Sequence, residues 1–417
     1  MNDERFDAII VGAGPAGSVA ALVLARGGAR VALIDKAAFP RDKACGDLVG
    51  PRGVRVLEDL GVAVDGTRVG DMVVVGPTAR RVRLPCTPGI TYPGYALAIP
   101  RARFDATLRE AALVAGAVPF TGQAVEPVVG DDGALDGFVL AGVGSVRGDF
   151  VIGADGATSR VADAAGLVDA SRVLWGFALR SYIAAPVDVP YIVFWEPRRR
   201  HPVPGYGWLF PGVDGSANVG LGVGTLADRK PAAQAVRLLP AFLDHLRRLG
   251  LLSGAQAGPR LGGWLKMGIV GTRPVAGNVL LVGDAAGLVN PLQGEGIAQA
   301  VDSGRAAAEA ILHGTDRADT ARRYREHVTA AHLPYQRIAA GVQATLLPRP
   351  AALATAGRLL TLPGVERTLA EGWGLFWNEL VDGAPPGKGR NTALAATKVG
   401  ALLTSRTAAR RWFDRLG

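Results

Sequence analysis

Apolar positions in the first third of the chain fall into short runs on either side of a helical pattern. Ala8–Val11 is an unbroken apolar run, Pro15 to Arg26 carries small and aliphatic residues at helical spacing, and Val31–Ile34 is a second run. Runs apolar on both faces flanking a helix predict a βαβ unit, and hence a parallel sheet buried beneath helices. From about residue 66 to 99 the pattern changes to short strand-like segments broken by Pro and Gly. A helix is predicted over Arg103–Ala115. Two strands, Ala124–Val129 and Gly137–Val143, then flank Asp131-Asp132-Gly133, which is hairpin-turn chemistry. A further apolar run ends in Val151-Ile152-Gly153-Ala154-Asp155-Gly156.

Residues 174–266 are β-rich and aromatic, with one helix predicted near Pro231–Leu249. A buried strand, Val279–Val282, and a long helix, Gly294–Leu312, follow. The tail from about Thr329 is rich in Ala and Leu, reads as helical, and is broken by Pro348, Pro350 and Pro363. The expected fold is α/β in its nucleotide-binding part and α+β overall. A Rossmann-like domain is assembled from residues 1–75, 100–165 and 267–328. An antiparallel β-sheet substrate domain from 76–99 and 166–266 is inserted into it, and 329–417 form a helical C-terminal region.

Composition narrows the class. With 417 residues, 49% hydrophobic and 20% charged, the chain is globular and long enough for two or three domains. The net charge of +9 is spread along the length. Arg198-Arg199-Arg200 and Arg410-Arg411 read as solvated surface, because no groove-reading motif accompanies them, so no nucleic-acid partner is expected. Weak attraction to an anionic lipid surface stays open. Two cysteines, Cys45 and Cys86, fit a reducing cytoplasm. The start, Met1-Asn2-Asp3-Glu4-Arg5, does not read as a signal peptide, and no apolar run reaches the ~20 residues of a membrane span. The expected location is therefore cytoplasmic, with room for peripheral contact at the inner face of the membrane. His201, His245, His313, His327 and His332 show no metal-ligand spacing, so no metal is expected. Oligomeric state is open.

Two motifs carry chemistry. Gly12-Ala13-Gly14-Pro15-Ala16-Gly17 follows a strand and opens a helix. In such a fingerprint the first glycine allows the turn, the second lets backbone approach a diphosphate, and the third lets helix and strand pack. Asp35 ends the next strand, followed by Lys36, at the spacing of a ribose-binding carboxylate; this favours FAD or NAD over NADP. Leu281-Val282-Gly283-Asp284-Ala285-Ala286-Gly287, and then Asn290-Pro291-Leu292-Gln293-Gly294-Glu295-Gly296-Ile297, tip the choice to FAD. Asp284 can accept from ribityl hydroxyls, and the N–H groups of Gly296 and Ile297 can face the flavin pyrimidine edge, where a helix start stabilises negative charge.

The fingerprint, Ala154-Asp155-Gly156 and Gly283-Asp284 resemble flavoproteins of the p-hydroxybenzoate hydroxylase fold. Phe39 to Asp47 (Phe-Pro-Arg-Asp-Lys-Ala-Cys-Gly-Asp) and Tyr206-Gly207-Trp208-Leu209-Phe210-Pro211 resemble the geranylgeranyl reductase family, whose members saturate prenyl chains. That resemblance covers about residues 5–330 well and the tail loosely. It implies FAD contacts at Ala16, Asp35, Gly46, Arg101, Ala124, Asp284, Gly296 and Ile297. It also places the Cys45-Gly46 loop by the flavin ring, so Cys45 is a candidate for a thiol role, set against a small buried residue packing there. Cys86 reads as structural.

Tyr206, Trp208 and Phe210 alternate along a strand and share one face. This face is either inter-domain core or the wall of a substrate cavity, which Trp373, Phe376 and Trp377 would help to close. The leading expectation is an FAD-dependent reductase saturating carbon–carbon double bonds of a prenyl-type or other lipophilic substrate. NAD(P)H or another reduced carrier would visit transiently, since no second fingerprint exists. The alternatives are a class A flavin monooxygenase or oxidase tailoring an aromatic or polyketide product, and a non-catalytic prenyl-lipid-binding protein. A flavin-dependent halogenase fits less well, because its Trp-x-Trp-x-Ile-Pro signature is absent.

Overall fold

The computed structural model describes residues 5–195, 205–226, 232–254, 256–346, 349–359, 361–364 and 366–405. Arg198–Arg200, His201, Pro231, Pro348 and Arg410-Arg411 lie outside the described residues.

The apolar runs form the centre of an eight-stranded sheet. Arg5–Val11 pairs in parallel with Val31–Asp35 on one side and Gly144–Gly153 on the other, and Val279–Leu281 adds a further parallel strand. Ile9, Ile10, Val151, Ile152 and Leu280 have no exposed surface, as strands covered on both faces require. The helix Pro15–Arg26 begins with proline at its first position, where the missing N–H costs nothing, and packs on this sheet. The helix Ile297–His313 crosses it so closely that a Cβ at Gly304 would sit 2.2 Å from the Ala16 carbonyl oxygen. This contact sets the fingerprint helix and the later flavin motif side by side.

A seven-stranded sheet faces the nucleotide-binding part. It is antiparallel except where Tyr191–Val193 runs parallel to Met72–Val75. Met72–Val75, grouped from sequence with the nucleotide domain, thus pairs into this sheet, whereas Ala96–Ala98 joins Leu48–Val49 and Thr67–Val69 in a separate three-stranded sheet. These strands are too short for periodicity to assign a partner. The helix Ala232–Arg248 covers one face of the large sheet, with Leu239, Phe242 and Leu246 packed on Leu209, Leu221 and Val223. The other face looks inward. The tail helices Leu333–Leu346, Glu366–Trp377 and Lys388–Ser405 close over that face, with Ile338, Ala370, Phe376 and Ala393 packed near Ile192, Phe194 and Trp208.

Element ends moved for local reasons. The helix expected at 103 starts at Arg101 after Pro100, and the long helix expected at 294 starts at Ile297, because Gly294 has φ +70. The hairpin's second strand stops at Leu140, where Gly142 and Gly144 (φ +76 and +115) turn the chain into the next strand. Among the described residues no helix is long and apolar enough to cross a membrane.

Candidate flavin and lipid site

The three fingerprint glycines do different work. A Cβ on Gly12 (φ +107) would lie 2.3 Å from the Ala154 oxygen, and one on Gly17 would lie 1.8 Å from the Gly12 oxygen. Both are steric requirements of the turn and the helix–strand contact. A Cβ on Gly14 would meet only the Arg41 guanidinium, at 3.6 Å. The space before Gly14, at a helix start and beside a cation, fits a diphosphate. Asp35 Oδ2 accepts from the Ala13 N–H at 2.8 Å and Oδ1 from the Ala37 N–H at 2.9 Å. Its carboxylate is thereby held at the mouth of the turn, where ribose hydroxyls would reach it. Asp35→Ala is expected to weaken FAD binding by about 1–3 kcal/mol, a roughly 5- to 150-fold rise in Kd read by flavin titration of the apoprotein. Lys36 is exposed and does not line the cavity. Ala124 is buried at the start of its strand and also lies off the cavity, its carbonyl accepting from Arg160 at 3.1 Å.

A cavity of about 340 Å³ opens between the two large sheets. One end is formed by Pro15, Cys45, Gly46, Arg101, Asp284 and Gly294 to Ile297, so the two flavin motifs meet there. Lys43 Nζ stands 3.6 Å from Asp284 Oδ2. Arg101 is held rigid by a fork onto Asp105, both bonds 2.7 Å, and Asp105 also accepts from Arg41 at 2.8 Å. The other walls are apolar: Tyr206, Trp208 and Phe210 share one face, and Trp373, Phe376 and Trp377 lie across from them. Ring centroids are 6.5 Å apart for Tyr206–Trp208, 6.3 Å for Trp208–Phe210 and 6.2 Å for Tyr206–Trp377.

The model for an FAD binding domain matches residues 5–185. The menaquinone reductase of Mycolicibacterium smegmatis is 39% identical over 322 residues, 75% of this chain and 78% of that protein. The geranylgeranyl diphosphate reductase of Rhodobacter capsulatus is 33% identical over 325 residues, 74% of this chain and 75% of its own. The chain belongs to the geranylgeranyl reductase family of FAD-dependent oxidoreductases. Its fold is that of a geranylgeranyl bacteriochlorophyll reductase-like protein from Thermoplasma acidophilum (TM-score 0.65, 22% identical, 99% of this chain and 100% of that one). The flavin-dependent brominase Bmp2 has the same fold (TM-score 0.70, 18% identical, 96% and 100% covered), so fold alone does not fix the chemistry.

In this flavoprotein, burial pushes the Cys45 thiol up, against the pull of Arg101. The sequence reading missed what anchors its loop. Asn218, fully buried, donates to the Cys45 carbonyl at 2.8 Å and to Asp47 at 2.9 Å, and accepts from Trp208 Nε1 at 2.9 Å. Asp47 sits at φ +61 and also accepts from the Tyr182 hydroxyl. The Trp208 indole packs against Gly220, where a Cβ would lie 2.2 Å from it. The aromatic wall and the flavin-side loop are therefore joined through Asn218.

The tail, which matched no sequence pattern, is fastened to the second flavin motif. Asn290 Nδ2 donates to the Trp377 carbonyl at 3.1 Å and to Glu379 at 3.0 Å, and Asn290 Oδ1 accepts from the Leu292 N–H at 2.9 Å. His327 and His332, read from sequence only as lacking metal-ligand spacing, converge on Asp302 Oδ2 at 2.9 and 2.7 Å.

Proposed function

We propose that this flavoprotein saturates a carbon–carbon double bond in the prenyl chain of a lipophilic substrate, of the prenylated-quinone or prenyl-diphosphate class. The observation that supports this best is the aromatic-walled cavity that runs directly onto the meeting point of the two flavin motifs. An apolar wall holds hydrocarbon with few polar contacts, at about 0.8 kcal/mol per buried CH₂. The cavity is at the small end of ligand pockets, which suits one stretch of a long chain rather than a whole lipid. FAD supplies the hydride when reduced, and the protein orients the alkene, excludes water and holds a proton source. The similarity to a menaquinone reductase favours a prenyl quinone. NAD(P)H or another carrier would reduce the flavin transiently, and the lipid would be drawn from a membrane surface by peripheral contact.

Anaerobic incubation of reduced enzyme with menaquinone and, separately, with geranylgeranyl diphosphate tests this. The product should gain two hydrogens and keep them after exposure to air. A gain lost in air would mean that only a quinone ring is reduced, which would overturn the alkene reading.

A further inference from the structure

An isolated alkene is a poor hydride acceptor unless a proton reaches its second carbon, and few groups on the cavity wall can give one. The Tyr206 hydroxyl donates to the Gln293 carbonyl and is pushed up by burial and by Glu295. The Cys45 thiol is pushed up as well. Glu295 is different. It is enclosed by protein yet opens on the cavity, and its Oε1 accepts from the Ala298 N–H at 2.8 Å at the start of the long helix.

Behind Glu295 lies a line of buried polar groups. The Gln299 amide stands beside both Glu295 and Glu379 and donates to Glu379 Oε1 at 3.0 Å. Glu379 is 5% exposed and held at φ +57, a backbone strain of the kind found at functional positions. Close enough to Glu379 to favour its charge is His332, 3% exposed, whose Nε2 meets Asp302 at 2.7 Å. Asp302 in turn meets His327, which is half-buried and reaches the surface. Gln299 Oε1 and His332 Nδ1 are buried without a protein partner, and atoms of that kind are commonly met by ordered water.

We propose that Glu295 is the proton donor to the substrate alkene, and that Glu379, His332, Asp302 and His327, with water at the two unpartnered atoms, return a proton to it from the surface. This rests on the alkene-saturation reading. In the step the π bond breaks and two C–H bonds form, one with hydride from reduced FAD and one with the Glu295 proton. FAD is oxidised by two electrons, the alkene is reduced, and Glu295 is left as carboxylate. One proton taken up at His327 restores it.

Burial and the nearby Glu379 push Glu295 up to about 7, so it carries its proton below neutral pH and shares it with the ionised form around neutral. The groups facing it are Glu379, Gln299 and Tyr206, with Lys43, Asp284 and Arg101 on the walls of the same cavity and Arg52 beyond Glu379. Burial alone would raise Asp302, but hydrogen bonds from the two histidines outweigh it and pull Asp302 far down, and Asp302 in turn holds His327 up.

The test compares wild type with Glu295→Gln and Asp302→Asn as FAD-loaded proteins in anaerobic turnover with a prenyl acceptor. Wild-type turnover should fall as pH rises through about 7. Glu295→Gln should keep its flavin, lose about 100-fold or more in kcat, and lose that pH dependence. Asp302→Asn should lower kcat with KM unchanged and be rescued by added imidazole, which a merely structural role would not allow. A melt gives a readout independent of turnover. A carboxyl raised in the folded state costs stability as pH rises from the unfolded value of about 4.5 towards 7, so Glu295→Gln should melt higher than wild type at pH 8 and alike at pH 5. Wild-type kcat and pH profile in Glu295→Gln, or melts that coincide at pH 8, would overturn the proposal alone. A wild type that saturates no alkene would overturn the functional reading and this with it.

Discussion

Gly14→Val should yield a folded protein without flavin. Gly14 has φ −75 and ψ −173, extended backbone that valine adopts readily, and its Cβ would meet no protein atom closer than the Arg41 guanidinium at 3.6 Å. The side chain instead fills the space where the structure leaves room for a diphosphate. The neighbouring glycines offer no such separation, since a Cβ at Gly12 or Gly17 would fall 2.3 or 1.8 Å from backbone and disrupt the turn itself. The expected result is circular dichroism like that of flavin-free wild type, with bound FAD falling from one per chain to none detectable. FAD retained at wild-type occupancy would show that the fingerprint is not the cofactor seat.

Trp208→Ala should spare the flavin and cripple the enzyme. The indole is 5% exposed, forms one cavity wall, and donates to the Asn218 side chain that also holds the Cys45 carbonyl and Asp47. Losing the wall removes the burial that grips the chain, about 1.5–3 kcal/mol, or roughly 10- to 150-fold in kcat/KM for a prenyl substrate. Losing the bond leaves Asn218 Oδ1 unpaired and loosens the loop. A stability loss of about 3–5 kcal/mol should accompany it, as for large-to-small core changes. Flavin absorbance, a melt and steady-state kinetics on one preparation separate these effects. Unchanged kcat/KM would remove the aromatic face from the substrate site.

What could be read from sequence was local. Gly12 to Gly17, Asp35 and the Gly283–Ile297 stretch lie on consecutive strand–turn–helix units, where spacing alone fixes geometry, and the helix Pro15–Arg26 has the bounds the pattern gives. Tyr206, Trp208 and Phe210 share a face because strands alternate, and the structure puts that face on the cavity. The residues that were missed are joined by topology. Asn218 meets Asp47 across 171 positions and Asn290 meets Glu379 across 89, contacts for which no periodicity exists. Glu295 was visible as a letter in a motif. Its raised pKa comes first from burial and then from Glu379, which enters only when the tail folds back. The pairing of Met72–Val75 with Tyr191–Val193 was hidden for the same reason.

The most direct measurement is a single turnover without oxygen. Enzyme reduced to the two-electron state is mixed anaerobically with a prenyl substrate, and flavin absorbance is followed while product mass is sampled. Flavin reoxidised in step with substrate loss, giving one product molecule two hydrogens heavier per flavin, is the result predicted here. Flavin that stays reduced until oxygen is admitted, with a product that then carries one added oxygen, would contradict it and place the chain among the hydroxylases that share its fold.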